Sequence, residues 1–115
     1  MANQTPLTPA VFNVLLALAG EDLHGYAILK DIAEQTHEEV QLSTGTLYGI
    51  IKRLLAEGLI VEMCRRPAVE NDDARRRYYH LTDAGREVAT AEARRMEKLV
   101  ARARGKQLIK AFKPL

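Results

Sequence analysis

The segment from Ser43 to Leu81 constrains the fold more than any other part of the chain. An amphipathic helix is predicted to begin at Ser43, whose hydroxyl can cap the first turn, and to end before Gly58. An apolar strand follows over residues 59–64. A polar loop with arginines at both ends separates it from a second strand over residues 76–81. Helix, strand, basic loop and returning strand, in this order, are typical of a winged helix-turn-helix domain.

Two further helices are predicted before this segment. Thr8 and Pro9 mark the start of the first, because threonine caps well and proline at the first helical position loses no hydrogen bond. Gly20 ends it. The second helix is predicted over residues 25–36, and the side chains expected to face the core are Tyr26, Leu29, Ile32 and Ala33.

A fourth helix is predicted after the second strand, from a cap at Thr82 to about residue 104. Its apolar stripe consists of Val88, Ala91, Met96, Leu99, Val100 and Ala103. Because the domain before it already has a complete core, the same helix from a second copy is the economical cover for this stripe. The alternative is that the helix folds back on its own domain.

The predicted fold class is therefore α+β and mainly helical: a winged helix-turn-helix domain with a two-stranded wing and a C-terminal dimerisation helix. We expect residues 1–81 to form the DNA-binding domain and residues 82–115 to form the dimerisation helix and tail. The first helix is apolar over so wide a face that its own core and a second subunit are both expected to contact it. The residues expected at the dimer interface are Val11, Phe12, Leu15, Val88, Ala91, Met96, Leu99, Val100 and Ala103.

Charge is distributed unevenly along the 115 residues, although the net charge is only +2. Residues 1–42 carry −5, residues 43–85 carry +1 and residues 86–115 carry +6. Local basic clusters on a nearly neutral chain are compatible with binding to nucleic acid. Apolar residues make up 47% of the chain, which is enough for a packed core and too many for a disordered protein.

The basic wing is the first candidate contact with DNA. An antiparallel hairpin brings the arginines on both sides of its loop to one end, and each guanidinium can bind a phosphate through two hydrogen bonds. The alternative is a solvated tip that Glu70, Asp72 and Asp73 partly neutralise. The arginines of the wing are Arg65, Arg66, Arg75, Arg76 and Arg77.

The helix that begins at Ser43 is the second candidate contact. Its polar side chains can donate hydrogen bonds to phosphates or base edges, and its tyrosine offers a ring and a hydroxyl. Its two glycines, Gly45 and Gly49, each cost about 1 kcal/mol of helix stability relative to alanine. Close approach of a nucleic-acid groove to the backbone would explain them, although Gly45 could simply belong to a fraying first turn. The candidate DNA-binding residues of this helix are Ser43, Thr44, Thr46, Tyr48, Lys52 and Arg53.

Catalytic and metal-binding patterns are missing from the sequence. The three histidines fall on different predicted elements, and none lies at i, i+4 from another histidine or from Cys64. We therefore expect no enzyme activity, no cofactor and no metal. Cys64 stands among apolar strand residues and is expected to be a small buried hydrophobe rather than a redox sensor.

Membrane and secretion signals are also missing. The longest apolar run, residues 10–19, is interrupted by Asn13 and is shorter than the roughly 20 residues needed to span a bilayer. Residues 1–9 lack the positive start of a signal peptide. We therefore expect a cytoplasmic protein.

Together these residues resemble the PadR family of bacterial winged-helix transcriptional regulators. The resemblance covers about residues 8–104. It implies a homodimeric regulator, usually a repressor, whose winged helix binds a palindromic operator, whose C-terminal helices dimerise, and which a ligand often releases from DNA. The segments that carry it are Leu23-His24-Gly25-Tyr26, Gly45-Thr46-Leu47-Tyr48, residues 54–60, and Arg75-Arg76-Arg77-Tyr78-Tyr79 followed by residues 81–86.

Residue by residue, the resemblance places Thr46, Tyr48, Lys52 and Arg53 on or beside the recognition helix. It places Arg76 and Arg77 on the wing and implies a structural role for residues 24–26. Two features depart from the family's pattern. Many members have proline where this chain has Gly49, which affects how the helix meets DNA. The C-terminal part has one helix instead of several, which is typical of the small subgroup and puts a dedicated effector-binding domain in doubt.

Two other partners remain open from the sequence. A winged helix can serve as a protein-interaction adaptor whose basic tip binds an acidic partner, without sequence-specific DNA binding. A flat apolar or phenolic effector could bind at the dimer interface between the first and fourth helices, near Phe12, Leu16 and Met96.

Overall fold

The computed structural model describes residues 6–64 and 77–110, which contain four helices and a three-stranded antiparallel sheet. The elements in chain order are α1 (Pro9–Gly20), β1 (Leu23–His24), α2 (Gly25–Gln35), α3 (Thr44–Ala56), β2 (Ile60–Cys64), β3 (Arg77–Leu81) and α4 (Asp83–Gly105). The predicted mainly helical α+β class is confirmed.

The helices begin where short polar side chains can cap them. Thr8 Oγ1 accepts a hydrogen bond from the Val11 amide at 3.2 Å, and Thr82 Oγ1 accepts one from the Gly85 amide at 3.0 Å. Ser43 caps α3 in the same way. Because capping is local chemistry, the predicted starts of all three helices agree with the structure.

The sheet has the strand order β1-β3-β2, so β3 lies in the middle. The hairpin of β2 and β3 is the predicted two-stranded wing, paired from Ile60 with Leu81 to Cys64 with Arg77. The third strand was not predicted. β1 has only two residues, Leu23 and His24, and so cannot show the alternation that identifies a strand. The side chain of Cys64, expected to be buried, lies outside the described part of the structure.

The core lies between helices α1 to α3 and one face of the sheet. Tyr79 and Leu81 alternate into it from β3. On α2 the prediction was wrong for Tyr26, which is 69% exposed. Ile28 and Ile32, one helical turn apart, are the residues that face inward. The buried hydrophobic residues are Val11, Val14, Leu15, Ala17, Leu18, Ile28, Ile32, Leu47, Ile51, Leu54, Ile60, Tyr79 and Leu81.

Helix α4 starts on the junction between α3 and β2. The Thr82 amide donates to the Leu59 carbonyl at 3.1 Å, and the Thr82 hydroxyl donates to the Gly58 carbonyl at 2.8 Å. Gly85 allows this close approach, because a β-carbon there would collide with the Leu59 carbonyl and the Leu81 side chain. The fourth helix is therefore anchored to the same turn that ends α3.

Glu92 marks the point where α4 leaves the domain. Its side chain is 5% exposed, and within residues 6–64 and 77–110 no other charged residue is buried. Arg95 Nε donates to Glu92 Oε1 at 3.1 Å. The hydrogen bonds from Arg95, with a further one from the Leu7 amide, hold the Glu92 pKa below its ordinary value of 4.5, against the opposing effect of burial. Residues 93–105 contain no buried side chain, so this half of α4 extends away from its own core.

No helix in the described ranges is long and apolar enough to cross a bilayer.

We expect Glu92→Gln to destabilise the protein at neutral pH, because the amide cannot form the ion pair with Arg95. The lowered pKa means that the stabilisation from Glu92 is fully present above 4.5 and is lost as the pH falls through the lower folded value. Urea denaturation of both proteins at neutral pH and at about pH 3 should therefore show a difference that shrinks in acid. Glu97→Gln, an exposed substitution on the same helix, is the control. A difference that is the same at both pH values would contradict this assignment.

Candidate nucleic-acid interface

Helix α3 separates a buried face from an exposed one. Leu47, Ile51 and Leu54 are buried at helical spacing and fix the helix on the core. The opposite side carries the residues that the sequence singled out for DNA, and all of them are exposed: Ser43, Thr44, Gly45, Thr46, Tyr48, Gly49, Lys52 and Arg53. We call this set the α3 face.

The first turn of α3 is organised by Ser43. Its hydroxyl accepts a hydrogen bond from the Thr46 amide at 3.0 Å and donates one to Thr46 Oγ1, also at 3.0 Å. Ser43 is therefore engaged as the helix cap, while the Thr44 side chain is exposed and forms no hydrogen bond with the described residues. No acidic residue lies in this turn. The positive end of the helix dipole is consequently open to an anion.

Gly45 and Gly49 leave a bare strip of backbone on the α3 face. A β-carbon at either position would meet no atom within 4 Å. Neither glycine is therefore needed for packing within the described chain, although each weakens the helix. The strip lies between the side chains of Thr46 and Lys52.

Arg53 of the α3 face and Arg77 of the wing are each paired with a carboxylate. Arg53 Nε donates to Glu57 Oε2 at 3.1 Å within the helix, and Arg77 Nη1 donates to Glu62 Oε2 at 2.9 Å across the sheet. The side chains of Arg53 and Arg77 are 53% and 67% exposed. Exposed pairs of this kind contribute about 0–1 kcal/mol, so a phosphate can replace the carboxylate at little cost. Lys52 forms no ion pair with the described residues.

The other wing arginines, Arg65, Arg66, Arg75 and Arg76, lie outside the described residues, as do Glu70, Asp72 and Asp73. Of the predicted basic wing, the structure therefore places Arg77 alone. It stands at the first position of β3, opposite Cys64 of β2.

Polar contacts at the base of the sheet hold β1 and β3 beside α2. His24 Nδ1 accepts the Ala27 amide at 3.3 Å and so caps α2, while its ring meets the Tyr78 ring edge-on with centroids 5.3 Å apart. His80 Nδ1 lies 2.7 Å from Asp22 Oδ1. These two histidines therefore have structural contacts. Within residues 6–64 and 77–110 no group of three His, Cys, Asp or Glu side chains is placed to hold a metal ion.

Tyr48 makes a contact that sequence analysis missed. Its phenol lies against Gly25 at the start of α2, in a position that a β-carbon on residue 25 would occupy. Tyr48 also acts electrostatically on Tyr79 of β3, whose pKa is raised first by burial, then by Glu62 and then by Tyr48. Gly25 and Tyr48 belong to separate sequence motifs, and neither motif signals that the two residues meet.

The residues predicted for a dimer interface differ widely in exposure. Val11 and Leu15 are 4% and 0% exposed in the core of their own chain, and Val88 packs against that core, so they offer little surface to a second copy. Leu99 and Val100 on the distal half of α4 are 47% and 39% exposed. Among the others, Ala91 is exposed and Phe12, Met96 and Ala103 are half-buried.

A groove of about 380 Å3 lies between α1 and α2. The effector site expected from the sequence, near Phe12, Leu16 and Met96, shares only Leu16 with it. The groove is lined by Asn13, Leu16, Ala17, Gly20, Glu21, Leu23, Asp31, Ile32 and Gln35.

Comparison with known sequences gives matches over most of the chain. The sequence profile of the transcriptional regulator PadR-like family matches residues 14–91. A transcriptional regulator of Mycobacterium tuberculosis is 32% identical over 95 residues, which cover 83% of this chain and 82% of that protein. An uncharacterized protein of a Streptomyces fradiae transposon is 42% identical over 89 residues, or 77% of this chain, which spans only 23% of that relative's length.

Comparison with solved structures agrees on the fold. A PadR-like transcriptional regulator from Bacillus cereus superposes with a TM-score of 0.72 at 20% identity, and the alignment covers 90% of this chain and 93% of that one. The matched family and the Mycobacterium relative regulate transcription and are not enzymes, in agreement with the sequence prediction.

Proposed function

The chain belongs to the PadR-like family of transcriptional regulators, and we propose that it is a repressor that binds a near-palindromic operator as a homodimer. Regulators of this family bind DNA. The observation that carries the proposal is the α3 face, which is exposed, free of carboxylates as far as Glu57, and bare of side chains at Gly45 and Gly49. A helix that packs through its buried face and leaves the opposite face exposed can enter a major groove.

In the proposed complex α3 reads the operator. The hydroxyls of Thr44 and Thr46 are short donors and acceptors that can meet base edges or phosphates. Lys52 and Arg53 supply positive charge about two turns further along. Gly45 and Gly49 let the phosphate backbone or a base approach the helix backbone closely. Ser43 contributes mainly by capping the helix, because its hydroxyl is already engaged with Thr46.

The wing supplies contacts that do not depend on sequence. Arg77 would exchange Glu62 for a phosphate oxygen, and Arg65, Arg75 and Arg76 would extend the same contact along the DNA backbone. A guanidinium binds phosphate through two parallel hydrogen bonds, so such contacts fix the position of the protein without reading bases.

Dimerisation would use the distal half of α4. Leu99 and Val100 are exposed apolar residues on the part of the helix that its own core does not cover. A second copy of the helix would bury them and place two winged domains, residues 1–81 of each chain, about 34 Å apart. That spacing is one turn of duplex, which is why a near-palindromic operator is expected. Residues 82–115 would then form the dimerisation unit.

Repression would follow from occupancy, because a dimer on its operator occludes the transcription machinery. An apolar or phenolic effector bound near Phe12, Leu16 and Met96 would change the relative position of the two winged domains and release the DNA.

The rival proposal is an adaptor whose basic tip binds an acidic protein. Selection of duplexes from a random library at fixed salt separates the two, since an adaptor would enrich no duplex sequence.

We expect Gly49→Ala to stabilise the protein and weaken operator binding. Alanine raises helix stability by about 1 kcal/mol, and the open space around this position removes any internal clash. On DNA the same methyl group would occupy the gap that the groove needs. Thermal denaturation and fluorescence anisotropy with the selected duplex measure the two effects, and Gly20→Ala at the end of α1 is the control. A more stable variant with unchanged affinity would remove the glycine strip from the interface.

We expect Arg77→Ala to weaken binding to operator and random duplex alike. Loss of one phosphate contact should lower the slope of log affinity against log salt by about 1. Combining it with Arg76→Ala should lower the slope further. Titrations at several salt concentrations measure the slope, and Arg104→Ala, at the far end of α4, is the control. An unchanged slope in both variants would exclude the wing from DNA contact.

We expect the double substitution Leu99→Glu with Val100→Glu to produce a folded monomer. Two carboxylates cannot be buried unpaired against a second helix, while the solvent-exposed positions leave the monomer's own core intact. Analytical ultracentrifugation measures the oligomeric state, and Leu108→Glu, at a position 78% exposed beyond the helix, is the control. A wild-type protein that is already monomeric at micromolar concentration would refute the proposed dimer.

A further inference from the structure

Gly25 has a structural role that its place at the start of a helix does not explain. Only Gly25 and Gly85, of the seven glycines, lack room for a β-carbon, and at Gly25 the obstacle is the phenol of Tyr48. The backbone of Gly25 is not left-handed, since Gly58 is the glycine with a positive φ. An alanine could therefore adopt the conformation of residue 25. Its methyl group would meet the phenol of Tyr48, which would have to move.

Tyr48 stands at the border between the two faces of α3. It follows buried Leu47 and precedes buried Ile51 by three residues, so its ring leaves the helix at the edge of the α3 face, beside the buried side. Long side chains on a helix lean toward its N-terminus, and here the ring reaches the start of α2. The side chain is nevertheless 45% exposed, so one edge stays at the surface.

The contact joins α3 to the start of α2, which follows the strand β1 that pairs with β3. Gly25 begins α2, and Leu23, two residues earlier, pairs with Tyr79 of β3. Tyr48 belongs to α3 and influences Tyr79 electrostatically. Strand β3 continues to Arg77 at the base of the wing. The ring of Tyr48 thus lies against the start of α2, next to the short strand β1 that pairs with β3.

We propose that Gly25 and Tyr48 form a steric pair that sets the position of α3 relative to α2 and the wing, which makes Gly25 a positioning residue for operator recognition. The inference rests on the proposed DNA-binding function. Tyr48 acts through packing against Gly25, while the polar side chains of Thr44 and Lys52, one turn before and after it, would contact the DNA. A methyl group on residue 25 would push the ring outward or the two helices apart. Either movement shifts the donors of the α3 face relative to the bases.

The pair predicts a specific pattern of non-additivity. Gly25→Ala alone should lower operator affinity about tenfold, the loss expected when one base-edge contact is misplaced, and should lower random-duplex affinity much less. Once Tyr48→Ala has removed the ring, Gly25→Ala should have no further effect, because the methyl group then has space. Tyr48→Phe should rescue Gly25→Ala in part, since the hydroxyl oxygen is the nearest obstacle.

The experiment is a double-substitution cycle measured in two ways. Fluorescence anisotropy with the duplex selected by the wild-type protein, and with a scrambled duplex, gives the coupling in DNA binding. Urea denaturation without DNA gives the coupling in folding stability. The matched control is Tyr26→Ala. Tyr26 follows Gly25 directly and is 69% exposed, so its substitution should not couple to Tyr48.

The outcomes distinguish this inference from the function on which it rests. Coupling in operator affinity that exceeds coupling in random-duplex affinity supports the positioning role. Coupling in stability alone, with operator affinity unchanged, overturns it and leaves a packing contact. Additive effects in both measurements overturn the steric pair itself. A wild-type protein that selects no duplex at all refutes the proposed function, whatever the stability cycle shows.

Discussion

The structure depends on α3 being held mainly through one buried face. Leu47, Ile51 and Leu54 are each at most 2% exposed. At helical spacing, these three side chains fix the helix against the core. The rest of the helix is consequently available, and the bare strip at Gly45 and Gly49 costs stability that the buried face has to offset.

Much of this arrangement follows from local chemistry that the sequence displays. The caps at Thr8, Ser43 and Thr82 predicted the helix starts, and the periodicity of α3 predicted its two faces. What escaped prediction is tertiary. β1 is a strand only because β3 lies beside it, and Tyr26 turned outward because Ile28 and Ile32 fill the space under α2. The contact between Gly25 and Tyr48 joins residues 23 positions apart, and a single sequence carries no signal for such a pair.

Exposed ion pairs dominate the electrostatics of the arginines proposed to contact DNA. Arg53 and Arg77 are each held by a carboxylate of their own chain, Glu57 and Glu62, at 3.1 and 2.9 Å. Ion pairs this exposed are weak, because water screens the attraction, so each arginine can exchange its carboxylate for another anion. A polyanion that presents many phosphates displaces such carboxylates easily and releases its own counterions as it does so. The nearly neutral net charge of the chain is therefore compatible with salt-dependent binding to DNA.

Helix α4 connects the wing to the surface proposed for dimerisation. It begins one residue after β3, and Thr82 ties that junction to the carbonyls of Gly58 and Leu59 at the end of α3. Glu92 then ties its middle to Arg95 and to the segment before α1. Because the helix is anchored at both points, a change in its direction cannot be absorbed by a flexible linker. In the proposed dimer, any ligand that altered the crossing of the two α4 helices would therefore move α3 and β3 together, as one body.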